Sequence, residues 1–407
     1  MIDSWRINDQ AQAGSRRECA PKSDGRQQED EVNQNMTGGP RSGANSHPQI
    51  APSRGFLVLE SGEAYEGVFQ GGEPRAGEVV FNTSHSGYEE IATDPSYYGQ
   101  IMVMTAPMQG NYGVSREFWE SRRMWIEGFV CVEMQSSERD QSWLRQLAGA
   151  GIPCFTELDT RRVVLRLRDL GTPWGAIVRA ETQEQARELA RPLISAAKIR
   201  EADWVWAVSR KEAETRAGLK FSGPRVAVMD YGAKENILRE LRHRCSEIRV
   251  FPSRATAEEV RAWNPDGIML SNGPGDPAAV VQSVETVREL LGWRPIFGIC
   301  MGNQILARAL GASTFKLKFG HRGGNHPVKD ELLGRIYVTS QNHGYAVDPQ
   351  TLPSNVRVTH WNLNDQTVEG FECVEKMAFS VQYHPESHPG PHEAVQLFDY
   401  FVDRLKK

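Results

Sequence analysis

The sequence predicts an α/β protein: a C-terminal unit built on a doubly wound, mostly parallel sheet, joined to an N-terminal domain of mixed α/β content. Three observations carry that class. From Val226 onward, apolar runs of strand length alternate with helical segments, the pattern of parallel strands with right-handed crossovers. Pro295 to Leu310, PIFGICMGNQILARAL, shows one such unit at its clearest, with an apolar run, a glycine-flanked turn and a helical face. A charged, irregular stretch ending at Gly223-Pro224 separates this region from an earlier strand-and-helix texture that starts at Phe56.

The 407 residues exceed one typical domain, and 39% hydrophobic content supplies a globular core. A net charge of −5 leaves no basic footprint for nucleic acid, and no run approaches the roughly 18 apolar residues of a membrane span. The cysteines, Cys19, Cys131, Cys154, Cys245, Cys300 and Cys373, are scattered without a CxxC, which points to free thiols in a reducing, cytoplasmic setting.

Residues 1–54 are polar and nearly empty of large apolar side chains, so they read as a disordered leader. They lack the apolar core of a secretory signal, and Asp3, Asp9, Asp24, Glu29, Asp30 and Glu31 argue against a transit peptide. Residues 55–197 form the first folded unit. Phe56–Leu59 and Ala64–Phe69 flank Ser61-Gly62 as a hairpin, and Glu78–Phe81, Ile101–Thr105 and Phe129–Glu133 read as strands. Ser142–Ala148, Asp159–Leu170 and Thr182–Ala196 read as helices, with the strand Gly175–Arg179 before the last. Asn82–Tyr88 and Met108–Val114 are loops dense in turn and polar residues.

Residues 198–223 read as a linker and 224–407 as the second unit. Its strands are predicted at Val226–Met229, Ile248–Phe251, Gly267–Leu270 and Ile296–Ile299, each followed by a helix. After Gly311 the pattern turns strand-rich, through Ile336–Thr339, Val356–Trp361 and Ala378–Gln382, and a final helix starts near Pro391.

The chemistry gathers at Cys300. It lies between Gly298 and Gly302 where strand becomes helix, a strained bend whose crowding the two glycines relieve. Amide dipoles at a helix N-terminus favour a thiolate and can donate to an oxyanion. A thiol nucleophile needs a base and the base an orienting group. His384 follows the strand Ala378–Gln382, and Pro385 biases it to an extended form, in which Glu386 projects to the same side. That is the grammar of a Cys-His-Glu triad. His384, His388 and His392 recur every four residues, but Pro385, Pro389 and Pro391 rule out the helix that would let them chelate zinc. His321, His326 and His343 have no ligand partners at a recognisable spacing, so no metal site is expected. The loop Ser271–Pro277 leaves the strand beside that of Cys300, and its glycines allow a backbone oxyanion donor. No GxxxxGK[ST], and no GxGxxG at a strand–helix junction, marks a nucleotide site.

Gly298–Gln304 (GICMGNQ) and His384-Pro385-Glu386 together resemble the class I, triad-type glutamine amidotransferases, which are flavodoxin-like. Phe81–Ser96 (FNTSHSGYEEIATDPS), Asn111–Val114, Asp159–Arg161, Asp230–Leu238 (DYGAKENIL), Ser271–Pro277, Phe319–Val328 (FGHRGGNHPV) and Gln341–Val347 (QNHGYAV) narrow the resemblance to the small-subunit family of carbamoyl-phosphate synthases. It runs in order from about residue 55 to the end. The resemblance implies a glutaminase that hydrolyses L-glutamine to L-glutamate and ammonia, with Cys300 as nucleophile, His384 as general base and acid, and Glu386 orienting the imidazole. It places Ser84, Gly273, Gly275, Met301, Gln304, Asn342, Gly344 and Tyr345 at the glutamine site, with the Met301 amide and the Gly273–Gly275 loop on the oxyanion. It implies no cofactor in this chain. A large partner subunit would receive ammonia through a tunnel and use ATP, Mg²⁺ and bicarbonate to make carbamoyl phosphate for arginine and pyrimidine synthesis. The pair would be a heterodimer able to form higher oligomers, the first unit supplying partner and interdomain contacts.

Three residues depart from the family pattern: Asn303 where histidine is usual, Tyr383 where glycine is frequent, and Ser387-His388 in place of Ala-Ser. Two other readings of the same residues are a stand-alone γ-glutamyl cysteine hydrolase and a non-catalytic docking subunit. The first-unit motifs speak against the former, and the intact cysteine and histidine against the latter.

Overall fold

The computed structural model describes residues 51–137, 142–199 and 203–406. The leader expected over 1–54 lies outside them except at its end, where Ser53 and Arg54 already belong to the first strand, Ser53–Leu59, paired with Ala64–Gly71.

The N-terminal strands close on themselves. In barrel order they are Ser53–Leu59, Ala64–Gly71, Cys154–Thr156, Gly128–Val130, Gln100–Met104, Arg75–Asn82 and Trp174–Arg179, which returns to the first. Closure removes every exposed edge. Leu57, Phe69, Val79, Ile101, Val103, Val130, Phe155 and Ile177 fill one core. The helix Gln183–Lys198 packs Ala186, Ala190 and Ile194 against Phe56, Val58, Ala176 and Val178. Its N-terminus is capped by Thr182, as that of Thr160–Leu170 is by Asp159, which accepts from the Arg162 N–H at 2.9 Å. The stretch read as a loop over Asn82–Tyr88 runs directly into a short helix, Tyr88–Thr93, and the one at Met108–Val114 opens with a strand, Met108–Gln109, paired with Glu133–Met134.

The second unit is a ten-stranded sheet. Its order is Glu214–Ala217, Glu247–Pro252, Arg225–Asp230, Gly267–Leu270, Ile296–Ile299, Ala378–Val381, Val368–Cys373, Arg335–Val347, Thr314–Asp330, Arg357–Asn362. The run from Glu247–Pro252 to Ala378–Val381 is parallel. Alternation along Arg225–Asp230 sends Val226 and Val228 to one face, where Ile237, Leu238, Leu241, Leu397, Phe398 and Phe401 cover them. Ala227 and Met229 face the other side, with Val260, Val284, Val287, Ile305 and Leu306.

Part of the stretch read as irregular linker is ordered. Trp204–Val208 is a helix, and Glu214–Ala217 is the antiparallel edge strand of the large sheet. Alternating charges hide that strand from a hydrophobicity reading, because an edge strand needs backbone pairing more than apolar burial. Among the longer elements, the strands Thr314–Asp330 and Val368–Cys373 of the large sheet are also absent from the sequence reading, as is Cys154–Thr156 of the barrel. The final helix begins at Gln396, not near Pro391: the Val395 N–H bonds the His392 carbonyl, three residues back, so a tight turn precedes the α-helix.

Candidate active site

The strand Ile296–Ile299 is wholly buried and stops at Cys300, whose φ of 53° and ψ of −102° lie where few side-chain-bearing residues go. Such a conformation costs on the order of 1–3 kcal/mol and persists only where its surroundings enforce it. Three hydrogen bonds do so here: Cys300 N–H to Val381 O (2.9 Å), Gly302 N–H to Ser271 O (2.9 Å) and Gln304 N–H to Cys300 O (3.2 Å). The flanking glycines serve close approach. A Cβ on Gly298 would lie 2.7 Å from Gly302 O, and one on Gly302 2.2 Å from Leu270 O. The thiol is buried and donates to the Asn342 carbonyl at 3.6 Å.

His384 follows the carboxyl end of the adjacent parallel strand, the same end of the sheet that carries Cys300. Its N–H is held by Ser340 O at 2.9 Å, and its own carbonyl accepts from Ser387 N–H at 3.1 Å. The chain therefore turns tightly over 384–387 instead of continuing extended as expected, and the turn still brings Glu386 to the Nδ1 edge of the ring. His384 Nδ1 lies 2.7 Å from Glu386 Oε1, and beside a carboxylate that nitrogen is the donor. Nε2 is buried with no hydrogen-bond partner among the described residues. Burial works against an imidazolium here, but the charges of Glu386 and Cys300 outweigh it and raise the His384 pKa.

Glu386 is fully buried, and burial disfavours its charge. Lys234 and His384 more than compensate and hold the carboxylate below its ordinary range. Lys234 Nζ lies 3.2 Å from Glu386 Oε1 and donates to Ser387 O, and Asn236 Nδ2 donates to Glu386 O. The network reaches the first unit through Glu120, which accepts from Asn236 N–H at 3.0 Å and pairs with Arg239 at 3.3 Å. Burial lifts Glu120 to about 7 despite Lys234.

One cavity opens beside Cys300. Gly273, Gly275, Gln304, Asn342, Gly344 and Tyr345 line it, as does Trp204 from the helix in the former linker. Gln304 Nε2 donates to Tyr345 O at 2.9 Å. Two expected residues stand apart. Ser84 lines a second, smaller cavity with Asp94, Lys234, His384 and Pro389, and Asn342 borders both. The Met301 side chain is packed in the core with Ile305 and Leu306, leaving only its backbone to the site. Sequence reasoning missed Asp94. Its carboxylate accepts from Asn342 Nδ2 (3.1 Å) and Asn272 Nδ2 (3.2 Å), tying the first unit to the strand Arg335–Val347 and to the loop after Leu270. Asp94 and Lys234 both fall inside stretches quoted for the resemblance, which was the available signal.

The histidine reading needs correction. His321 pairs with His343 across the antiparallel register, and His321, His343 and Glu369 bring ligand-type atoms within 4.8 Å of one another. Sequence spacing hides this because strand pairing, not proximity along the chain, joins them. Their atoms have protein partners: His321 contacts Asp365 (2.8 Å) and Glu369 (3.4 Å), and His343 contacts Gln341 and the Tyr345 carbonyl. Burial opposes a charged His321, but Asp365 and Glu369 raise it to about 9. The three departures sit around the site. Asn303 is buried and bonds Gln382 (2.9 Å) and Ser380 (2.8 Å), Tyr383 is packed in the core, and His388 meets His392 edge to face.

Residues 227–404 match the family model "Glutamine amidotransferase class-I", and residues 57–177 match "Carbamoyl-phosphate synthase small chain, CPSase domain". The carbamoyl phosphate synthase small chain of Bacillus caldolyticus is 44% identical over 361 residues, covering 86% of this chain and 96% of that one. The chain belongs to the carbamoyl phosphate synthase small chain family. The small chain of Symbiobacterium thermophilum is 47% identical over 362 residues (84% and 96% covered), and that of Thermus thermophilus 44% over 367 residues (87% and 93%). The amidotransferase match falls on the large sheet and the small-chain match on the barrel. Among the described residues, no helix is long and apolar enough to cross a membrane.

Proposed function

We propose that this chain is the glutaminase subunit of a carbamoyl-phosphate synthase, with Cys300, His384 and Glu386 as its catalytic residues. The observation that carries the reading is the strained Cys300 at the start of a helix, opposite a buried histidine whose other nitrogen is held by Glu386 at 2.7 Å. His384 Nε2 takes the thiol proton, and the thiolate attacks the side-chain amide carbon of L-glutamine. Backbone N–H groups of Met301 and the Gly273–Gly275 loop receive the oxyanion. The imidazolium returns the proton to the leaving nitrogen, ammonia departs, and a thioester remains. Water, deprotonated by His384, cleaves the thioester to L-glutamate and regenerates the thiol.

Glutamine occupies the cavity lined by Gly273, Gly275, Gln304, Asn342, Gly344 and Tyr345, while Ser84 approaches from the second cavity. The helices packed on both faces of the parallel strands support a doubly wound, flavodoxin-like arrangement for residues 224–407, with residues 55–197 supplying partner and interdomain contacts. Ammonia in neutral water would be mostly protonated and unable to attack a carbonyl, which favours a tunnel to a large partner subunit. That partner, in a cytoplasmic heterodimer able to assemble further, would use ATP, Mg²⁺ and bicarbonate to form carbamoyl phosphate for arginine and pyrimidine synthesis.

The test is Cys300→Ser in the assembled complex. Glutamine-dependent carbamoyl phosphate formation is expected to vanish while ammonia-dependent formation survives. Equal loss of both activities would reject the role given to Cys300.

A further inference from the structure

We propose that Arg322 is a specificity residue of this site and binds the α-carboxylate of L-glutamine. This deepens the glutaminase reading above and rests on it.

Arg322 sits in the strand Thr314–Asp330, directly opposite Asn342, the residue whose carbonyl receives the Cys300 thiol. Residues opposed in this way share a face of the sheet. Arg322 is only 5% exposed and lines the same cavity as Cys300, Gln304, Gly273 and Tyr345. Nη1 donates to the Phe319 carbonyl at 2.6 Å, and Nη2 lies against Gly344, where an added Cβ would stand 3.6 Å away. Nε is buried and has no hydrogen-bond partner among the described residues.

The charge is what singles this residue out. Lys234, equally buried, has Glu386 at 3.2 Å, and Arg210 has Asp230 at 3.0 Å. Among the described residues, no carboxylate lies within ion-pair distance of the Arg322 guanidinium. Burial pulls its pKa down, and Tyr97, Glu78 and Cys300 offset that only partly. Glu78 lines the cavity too, but Lys316 already pairs with it at 2.7 Å. Taking a cation out of water is costly unless an anion meets it. An anion able to enter this cavity and present an amide to Cys300 is the substrate itself. A planar guanidinium with free N–H groups suits a carboxylate better than any other common group. The rival role is structural: a guanidinium that braces the Phe319 carbonyl, given room by Gly320 at φ +72°.

The experiment compares the full chain with its Arg322→Gln and Arg322→Lys variants on two substrates. One is L-glutamine, the other its analogue with a carboxamide in place of the α-carboxylate. The wild type is expected to prefer L-glutamine by about 100-fold in kcat/KM. In Arg322→Gln, KM for L-glutamine should rise by about 100-fold with kcat changed less than about 3-fold, while kcat/KM for the carboxamide stays within about 3-fold. Arg322→Lys, which keeps the charge without the fork, should fall between. Equal loss on both substrates, or an unmoved KM for L-glutamine, overturns the proposal in favour of the bracing role. If Arg322→Gln does not fold, the wild-type comparison decides: equal kcat/KM on the two substrates overturns it. A wild-type chain with no glutaminase activity at all would instead bring down the reading on which this one rests.

Discussion

Replacing Lys234 by methionine removes a cation that is 3% exposed, leaving Glu386, 0% exposed, without its 3.2 Å partner. Lys234 also offsets the burial of Glu120, so two carboxylates lose compensation at once. Breaking a buried ion pair by deleting one partner typically costs about 3–5 kcal/mol, because the surviving charge stays desolvated. Against a usual stability of roughly 5–15 kcal/mol, that is a large share. The sign with pH follows from Glu386. Its folded-state pKa is depressed, so its stabilisation is present above the ordinary carboxylate range and lost as pH falls through the folded value. Without Lys234 the carboxylate protonates more readily, so the Lys234→Met penalty should be largest near neutral pH and shrink in acid. The assay is denaturant unfolding at pH 7 and pH 5 for the wild type, Lys234→Met, Glu386→Gln and the double variant. The double variant removes the stranded charge, so it should be more stable than the sum of the single effects predicts, by about 1 kcal/mol or more. A Lys234→Met penalty under about 1 kcal/mol, or strict additivity, would refute the reasoning.

Three further outcomes can be measured. His384→Asn should slow thioester formation by roughly 10²-fold or more, the scale of general-base loss, in a rapid-quench experiment with L-glutamine; an unchanged acylation rate would remove His384 from its role. His321 has a raised folded-state pKa near 9 against an ordinary 6.5, so its contribution is complete below 6.5 and lost as pH rises through 9. His321→Asn should therefore lower the melting temperature at pH 6, with the gap closing toward pH 10; a gap that stays constant across that range would contradict the ion-pair assignment. Gly302→Ala places a Cβ 2.2 Å from the Leu270 carbonyl, a backbone atom that yields poorly. It should cost about 1–3 kcal/mol of stability and displace the helix start beneath Cys300. Wild-type melting temperature and glutaminase kcat/KM in this variant would show that no such crowding exists.

Features encoded locally could be read from the order of the residues alone. The unbroken apolar run Val226-Ala227-Val228-Met229 marked a strand covered on both faces, and Gly298-Ile299-Cys300-Met301-Gly302 marked the nucleophile turn. The quoted motifs carried the family, and the helices read over Asp159–Leu170 and Thr182–Ala196 are in place, with Asp159 and Thr182 as their caps. Features that depend on partners far apart in the chain emerged with the folded arrangement. Closure of the first unit into a barrel is a matter of which edges find each other, and Glu214–Ala217 became a strand because Glu247–Pro252 offered it a ladder. The pairing of His321 with His343 and of Arg322 with Asn342 is set by strand register, which slides by residues without changing composition. The same holds for the buried charges. Nothing adjacent to Lys234 in sequence indicates that it neutralises Glu386, whereas among the described residues Arg322 is left without a carboxylate, because the free energy of a buried ion is fixed by the groups that folding brings around it.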